Sequence, residues 1–208
     1  MNNETVTPAP VGDQQESKKT GGARALLDYV EMFVITVIAV ILILSFLFRL
    51  CQVSGESMNN TLLNGEHLIV TNLFYTPKTG DIIVFHQTSD IYDQFNEPIV
   101  KRVIATGGQF VKIDYMQGKV YVSADEAFTE DEVLDEKNYI CLSGGKWKEY
   151  GLPSEIFEVP EGYLFVLGDN RNKSADSRSP QVGLVDERRV LGKVLLRITP
   201  FSKFGKVD

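Results

Sequence analysis

The chain has 208 residues, 43% of them hydrophobic and 10% aromatic, which is enough for a globular domain plus an appendage and too apolar for wholesale disorder. Its formal net charge of -7 is uneven: seven acidic residues fall between Asp125 and Glu136, and the rest of the chain beyond Cys51 is nearly neutral. No stretch clusters Lys and Arg among aromatics, which excludes a nucleic-acid surface, while two cysteines (Cys51, Cys141) and two histidines (His67, His86) are too few for a disulfide framework or a zinc site.

Residues 1–28 read as a cytoplasmic tail, the first 23 being polar, rich in Gly, Pro, Gln and Asn, and without apolar periodicity. The character then changes. From Met32 to Phe48 the run MFVITVIAVILILSFLF carries no charge, at the lower end of the roughly 17–25 residues that cross a bilayer. With Tyr29 and Arg49 as interfacial anchors, a transmembrane helix is expected over 29–50. It is apolar around its whole circumference, unlike a soluble core helix, and no Ala-x-Ala-like site follows it as in a cleaved signal peptide. Lys18, Lys19 and Arg24 precede the run, whereas only Arg49 follows closely. This asymmetry places the N-terminus in the cytoplasm and the remainder outside.

Residues 51–208 read as a mainly β, extracytoplasmic domain. Short β-branched or aromatic runs (HLIV, DIIVFH, PIVKRVIAT, FVKIDY, KVYVS, YLFVLG, VLGKVLLRI) alternate with turn signals such as KTGD, TGGQ and MQGK. That spacing predicts an antiparallel barrel-like or sandwich domain. The acidic stretch near 125–138, with weak helical periodicity from Phe128 to Lys137, reads as a solvated excursion without chemistry.

Three segments go beyond ordinary sheet sequence. In SGESMNNTLLNGEHLIV, Ser57 is a loop serine that needs a base and an oxyanion site before it counts as a nucleophile. In PIVKRVIAT, strand alternation puts Lys101 and Arg102 on opposite faces, so one of the two cations points into whatever the strand buries; an edge strand with two solvated heads is the bland alternative. A lysine becomes a base near neutral pH when burial lowers its pKa from about 10.4. In GDNRNKSADSR, Asp169, Asn170, Arg171, Ser174, Asp176, Ser177 and Arg178 crowd eleven positions, and interleaved cations argue against a calcium loop and for a self-satisfied hydrogen-bond network. His67 and His86 are alternative bases, but each lies in a strand-like run with no Asp at a telling spacing.

Taken together, SGESMNNTL, GDIIVFH, KRVIATGG and GDNRNKSADSR, in that order after a membrane span, resemble the successive sequence boxes of the bacterial type I signal peptidases, and VLGKVLLRITPFSKFG is similar to the tail of Gram-positive members. The resemblance implies Ser57 as nucleophile and Lys101 as its general base, with Ser174 orienting Lys101. It also implies Arg102 paired with Asp169, Asp176 paired with Arg178, Asn170 in the supporting network, and Met58 lining the substrate cleft. It implies no metal or cofactor, precursor proteins with signal peptides as substrates, a lipid bilayer as surroundings and a monomer. The sequence departs from the family pattern at Gly55, where some relatives carry a serine that helps stabilise the oxyanion, at Asn60, where Pro is common, and in ATGG. Two other readings remain open from sequence: a peptidase of the same clan dedicated to one pilin-like or conjugation substrate, and a non-catalytic, membrane-anchored β domain that binds extended peptides.

Overall fold

The protein is described by a computed structural model covering residues 17–87, 98–142, 147 and 154–207. The apolar run forms a helix, α1 (Ser17–Leu47), whose stretch Gly22–Leu47 spans 26 residues, or about 39 Å, against a hydrocarbon core of about 30 Å. None of that stretch is buried in protein, and Leu26, Phe33, Ile35, Ile41 and Phe46 are all exposed. Among the described residues the helix is thus apolar and exposed on every side, with the length and composition to cross a membrane.

Both helix ends differ from expectation. Residues 17–28, expected as tail, are helical, because Ala23, Arg24, Ala25, Leu26 and Leu27 favour the helix more than Gly21 and Gly22 oppose it. At the other end the helix stops at Leu47 although apolar residues continue. Strand β1 (Phe48–Gln52) takes over there and pairs antiparallel with β2 (His67–Thr71), in a register running from Phe48 opposite Thr71 to Gln52 opposite His67. Residues 48–50 thus belong to the compact unit Leu47–Asp208.

The other strands are β3 (Ile82–His86), β4 (Pro98–Ala105), β5 (Gln109–Asp114), β6 (Lys119–Ser123), β7 (Ser154–Val159), β8 (Tyr163–Leu167), β9 (Val185–Asp186), β10 (Val190–Thr199) and β11 (Gly205–Lys206). They form two antiparallel sheets. The larger runs β1-β2-β10-β3-β4-β8-β9, with β11 added to β10, and the smaller runs β6-β5-β7. The mainly β, antiparallel expectation holds. One apolar cluster (Val53, Met58, Leu62, Leu68, Val70, Ile82, Val84, Val194, Val207) underlies the loop after β1. A second, including Ile104, Val111, Ile113, Trp147, Phe165 and Leu167, joins the two sheets.

Strand β4 positions the chemistry. It is flanked by β3 and β8, with Ile83 opposite Lys101, and Ile82 and Leu167 opposite Arg102. Both cations are 3% exposed. The edge-strand alternative is therefore excluded, and so is the idea that only one of the pair points inward: β4 is interior to the large sheet, and both of its faces are covered.

Within the acidic stretch, helical order is limited to a single 3-10 turn at Glu130–Glu132. The excursion is also less solvated than its composition implies. Glu132 accepts from Ser123 and Thr129, Glu130 pairs with Lys119, and Glu136 is buried.

Candidate active site

The loop after β1 closes on itself before it delivers Ser57. Val53 N–H donates to the Glu66 carbonyl (2.8 Å), and Gly65 N–H to the Val53 carbonyl (2.9 Å). Gly55, at φ +89°, turns the chain while its N–H donates to Asn64 Oδ1 (3.0 Å). Only glycine adopts that conformation cheaply. The departure at position 55 thus has a backbone reason, and no side-chain hydroxyl is available there. Met58, 1% exposed, plugs the loop into the core beneath it. Among the described residues the Ser57 N–H has no hydrogen-bond partner.

Lys101 Nζ donates to Ser57 Oγ at 2.8 Å and to the Val100 carbonyl at 3.0 Å. Complete burial pushes its pKa down to about 8, against the upward pull of Asp176 and Asp169. Among the described residues no carboxylate is bonded to the amine. With the amine neutral, the same contact lets the Ser57 hydroxyl donate to Nζ, which is the geometry a general base needs.

The segment after β8 surrounds this pair with satisfied charges. Asp169, fully buried, accepts Arg102 Nε and Nη2 at 2.9 Å each, and also Thr61 Oγ1. Arg102 Nη1 donates to the Gly80 carbonyl (2.9 Å). Arg178 Nε and Nη2 grip Asp176 at 2.8 Å each. Burial pushes the Asp176 carboxyl upward, but the Arg178 guanidinium outweighs it and holds the group below the usual range. Among the described residues the expected contact of Ser174 with Lys101 is not one of the amine's hydrogen bonds; Ser174, 2% exposed, is one of the groups that hold the Asp176 carboxyl below the usual range. Asn170 reaches the nucleophile loop itself, its N–H donating to the Ser57 carbonyl (2.9 Å) and its Nδ2 to the Glu56 carbonyl (3.0 Å). Gly168 completes the join: a Cβ there would lie within 3.0 Å of both the Ser174 side chain and the Ser57 carbonyl.

A cleft of about 300 Å3 opens over Ser57 and Lys101, walled by residues 52–58 on one side and 98–101 on the other. Met58 is among the residues that line it. The two histidines stand apart: His67 Nδ1 hydrogen-bonds Thr199 Oγ1 (2.8 Å), and His86 is exposed at the end of β3. Cys51 and Cys141 form no disulfide. No cluster of three or more metal-ligating side chains occurs among the described residues.

A family model described as signal peptidase, peptidase S26, matches residues 26–199. A signal peptidase I from Bacillus licheniformis is 34% identical over 200 residues, covering 93% of this chain and 99% of the relative. The chain belongs to the S26 signal peptidase family. Signal peptidase IB of Staphylococcus aureus is 31% identical over 191 residues, covering 87% of this chain and 93% of that one. A crystal structure of a signal peptidase I from Enterococcus faecalis matches 57% of this chain and 97% of its own, at 25% identity and a TM-score of 0.39.

For an S26 peptidase, the part of the site missed from sequence lies in the acidic excursion. Glu136 pairs with the buried Arg171 through both Nη1 (3.1 Å) and Nη2. Tyr139 donates its hydroxyl to Glu136 Oε1 (3.0 Å) and stacks under Arg102, 4.0 Å from ring centroid to guanidinium carbon. Trp147 faces both Arg171 and Arg178. The available signal was three arginines in two short segments with only two aspartates nearby, so one cation needed a carboxylate from elsewhere.

Proposed function

We propose that this S26 peptidase removes signal peptides from secreted precursor proteins, with Ser57 as nucleophile and Lys101 as general base, acting as a monomer at the outer face of the membrane. The observation that supports this reading is the 2.8 Å contact between Lys101 Nζ and Ser57 Oγ, made where the amine is buried and, among the described residues, no carboxylate bonds it.

In the first step, neutral Lys101 takes the Ser57 proton as Oγ attacks the scissile carbonyl carbon. The carbonyl electron pair moves to oxygen, where the Ser57 N–H meets the oxyanion. Collapse breaks the C–N bond, the Lys101 ammonium protonates the leaving amine, and an acyl ester remains on Ser57. Water, deprotonated by Lys101, then attacks the ester, and Ser57 leaves with the proton returned. Arg102–Asp169 and Asp176–Arg178 hold the surrounding segment, and Ser174 acts one step removed, through Asp176.

One wall of the cleft, residues 98–101, is the exposed start of strand β4, and the other, 52–58, is the turn that carries Ser57, so a substrate strand fits along β4 with small side chains turned inward. A secretory precursor presents its cleavage site just beyond an apolar helix, followed by small residues. Ser57 follows Phe48, the last residue of the uncharged apolar run, by so few residues that its reach is no more than about 30 Å even fully extended. The basic residues ahead of α1 favour a cytoplasmic N-terminus, which leaves the peptidase unit outside.

The test uses the full-length protein in detergent with a preprotein substrate. Ser57→Ala and Lys101→Ala each reduce cleavage to background while the melting temperature is retained; full activity in either variant refutes the pair. In the parent enzyme, the neutral fraction of Lys101 falls about tenfold per pH unit below about 8, and kcat falls with it. A rate that stays level from pH 8 to pH 5 contradicts the assignment of Lys101.

A further inference from the structure

Asn170 makes an unusual double contact. It is fully buried, and from one residue it donates to two consecutive carbonyls, those of Glu56 and Ser57, on either side of the nucleophile's own Cα. The Glu56 carbonyl belongs to the same peptide unit as the Ser57 N–H. A trans peptide is planar, so its C=O and N–H point in opposite directions, and fixing one fixes the other. The backbone N–H of Asn170 holds the far side of Ser57 at 2.9 Å, while its Nδ2, at 3.0 Å, sets the plane of the peptide that enters the serine. The N–H at the other end of that plane has no partner among the described residues.

We infer that Asn170 is the positioning residue of the oxyanion site: by gripping the Glu56 carbonyl it aims the Ser57 N–H at the place where the substrate's carbonyl oxygen becomes negative. This rests on the proposed role of Ser57 and extends it. The need follows from the loop itself. Gly55 supplies no hydroxyl to the oxyanion, and Asn64 holds the turn at the Gly55 N–H, short of the peptide that carries the Ser57 N–H. An anchor from outside the loop holds that later peptide. Asn170 is well placed for it, because the bridge between Asn170 and Cys141, with Cys141 N–H on the Asp169 carbonyl (2.8 Å) and Arg171 N–H on the Cys141 carbonyl (3.1 Å), ties it to a second segment of backbone. A preorganised donor is worth more than one that must rotate into place during the reaction, since no reorganisation is needed as charge develops.

The test compares the full-length enzyme with Asn170→Ala, which removes Nδ2 and leaves the backbone N–H, and with Asn170→Asp, which keeps the shape but sets an acceptor against the carbonyl. The substrate is a synthetic peptide with an apolar segment ending in Ala-x-Ala, and the probe is a peptide aldehyde that adds to Ser57 and carries the tetrahedral oxyanion. Removing an oxyanion donor outright costs about 10²- to 10³-fold in kcat, and misaiming one costs less. The expected result is a kcat lower by about 10- to 100-fold, an aldehyde affinity lower by a similar factor, a KM within about 2-fold and, in Asn170→Ala, an unmoved acid limb of the pH–rate profile. Asn170→Ala keeps its melting temperature to within a few degrees, whereas Asn170→Asp, which buries a carboxylate, melts lower.

Unchanged kcat and aldehyde affinity overturn the inference, as does a loss confined to KM. A shifted acid limb in Asn170→Ala overturns it too, because Asn170 would then act through Lys101. These outcomes are separable from failure of the nucleophile assignment, which shows as activity retained in Ser57→Ala and not in any property of the Asn170 variants.

Discussion

Lys101 and Arg102 are neighbours on one strand, equally hidden from water, and the protein treats them in opposite ways. Around Arg102, every donor pair is answered: Asp169 takes two bonds, the Gly80 carbonyl a third, and the Tyr139 ring lies against the guanidinium. Burial pulls its pKa down, but Asp169 more than restores it, and the group stays charged. Around Lys101 there is a hydroxyl and one carbonyl, and burial wins. The same desolvation that Arg102 overcomes is left uncompensated at Lys101, the cation proposed to lose a proton. Arg171 and Arg178 follow the Arg102 pattern, each with its own carboxylate.

The sharpest way to break the contrast is to strip Arg102 of its partner. Asp169→Ala leaves a guanidinium buried and frees Thr61, and a charge abandoned in this way costs about 3–5 kcal/mol. Chemical denaturation reads this as a lower midpoint, with activity falling in step; a midpoint within error of the parent removes the distinction between the two cations.

Lys101→Met tests the other half, since it keeps the apolar stem and deletes the amine. The folded pKa of Lys101, about 8, lies below the unfolded value of 10.5, so the unfolded chain binds the extra proton between those limits. Parent stability therefore rises with pH across that window, by about 3 kcal/mol in total at about 1.4 kcal/mol per unit, and the deficit is fully present below pH 8. Lys101→Met lacks the rise and is the more stable of the two at pH 7, although inactive. Parallel stability curves for the two proteins between pH 7 and 10.5 contradict a neutralised lysine.

The smallest effect belongs to Tyr139. Tyr139→Ala loses a ring against a desolvated cation, worth about 1–2 kcal/mol, whereas Tyr139→Phe keeps the ring and loses only the hydroxyl bond to Glu136. Thermal melting should rank parent, Phe and Ala in that order. An Ala variant as stable as the parent shows that Asp169 alone suffices for Arg102.

How much of this was legible in the sequence follows from how local each signal is. The span, the β character and the crowding of GDNRNKSADSR depend on neighbouring residues, and they could be read directly. Alternation correctly placed Lys101 and Arg102 on opposite faces, but whether β4 was an edge or an interior strand is a property of its partners β3 and β8, which no spacing reveals. The helix end was misjudged at 48–50 because apolarity persists while hydrogen bonding changes hands to β2. Glu136 was assigned to solvent by the company it keeps in sequence; its charge is met by Arg171, which lies 35 residues further along the chain. Ser174 was placed on Lys101 by resemblance, and its influence on the Asp176 carboxyl is visible only in three dimensions.

The contact at Gly168 carries one more consequence. Where its single hydrogen faces Ser174 and the Ser57 carbonyl, there is no volume left for even a methyl group. The position is sterically closed to the other nineteen amino acids. Drift at this point cannot tune the enzyme by degrees: the two halves of the catalytic apparatus meet hydrogen to atom, and a lineage that varies either must leave this seam untouched.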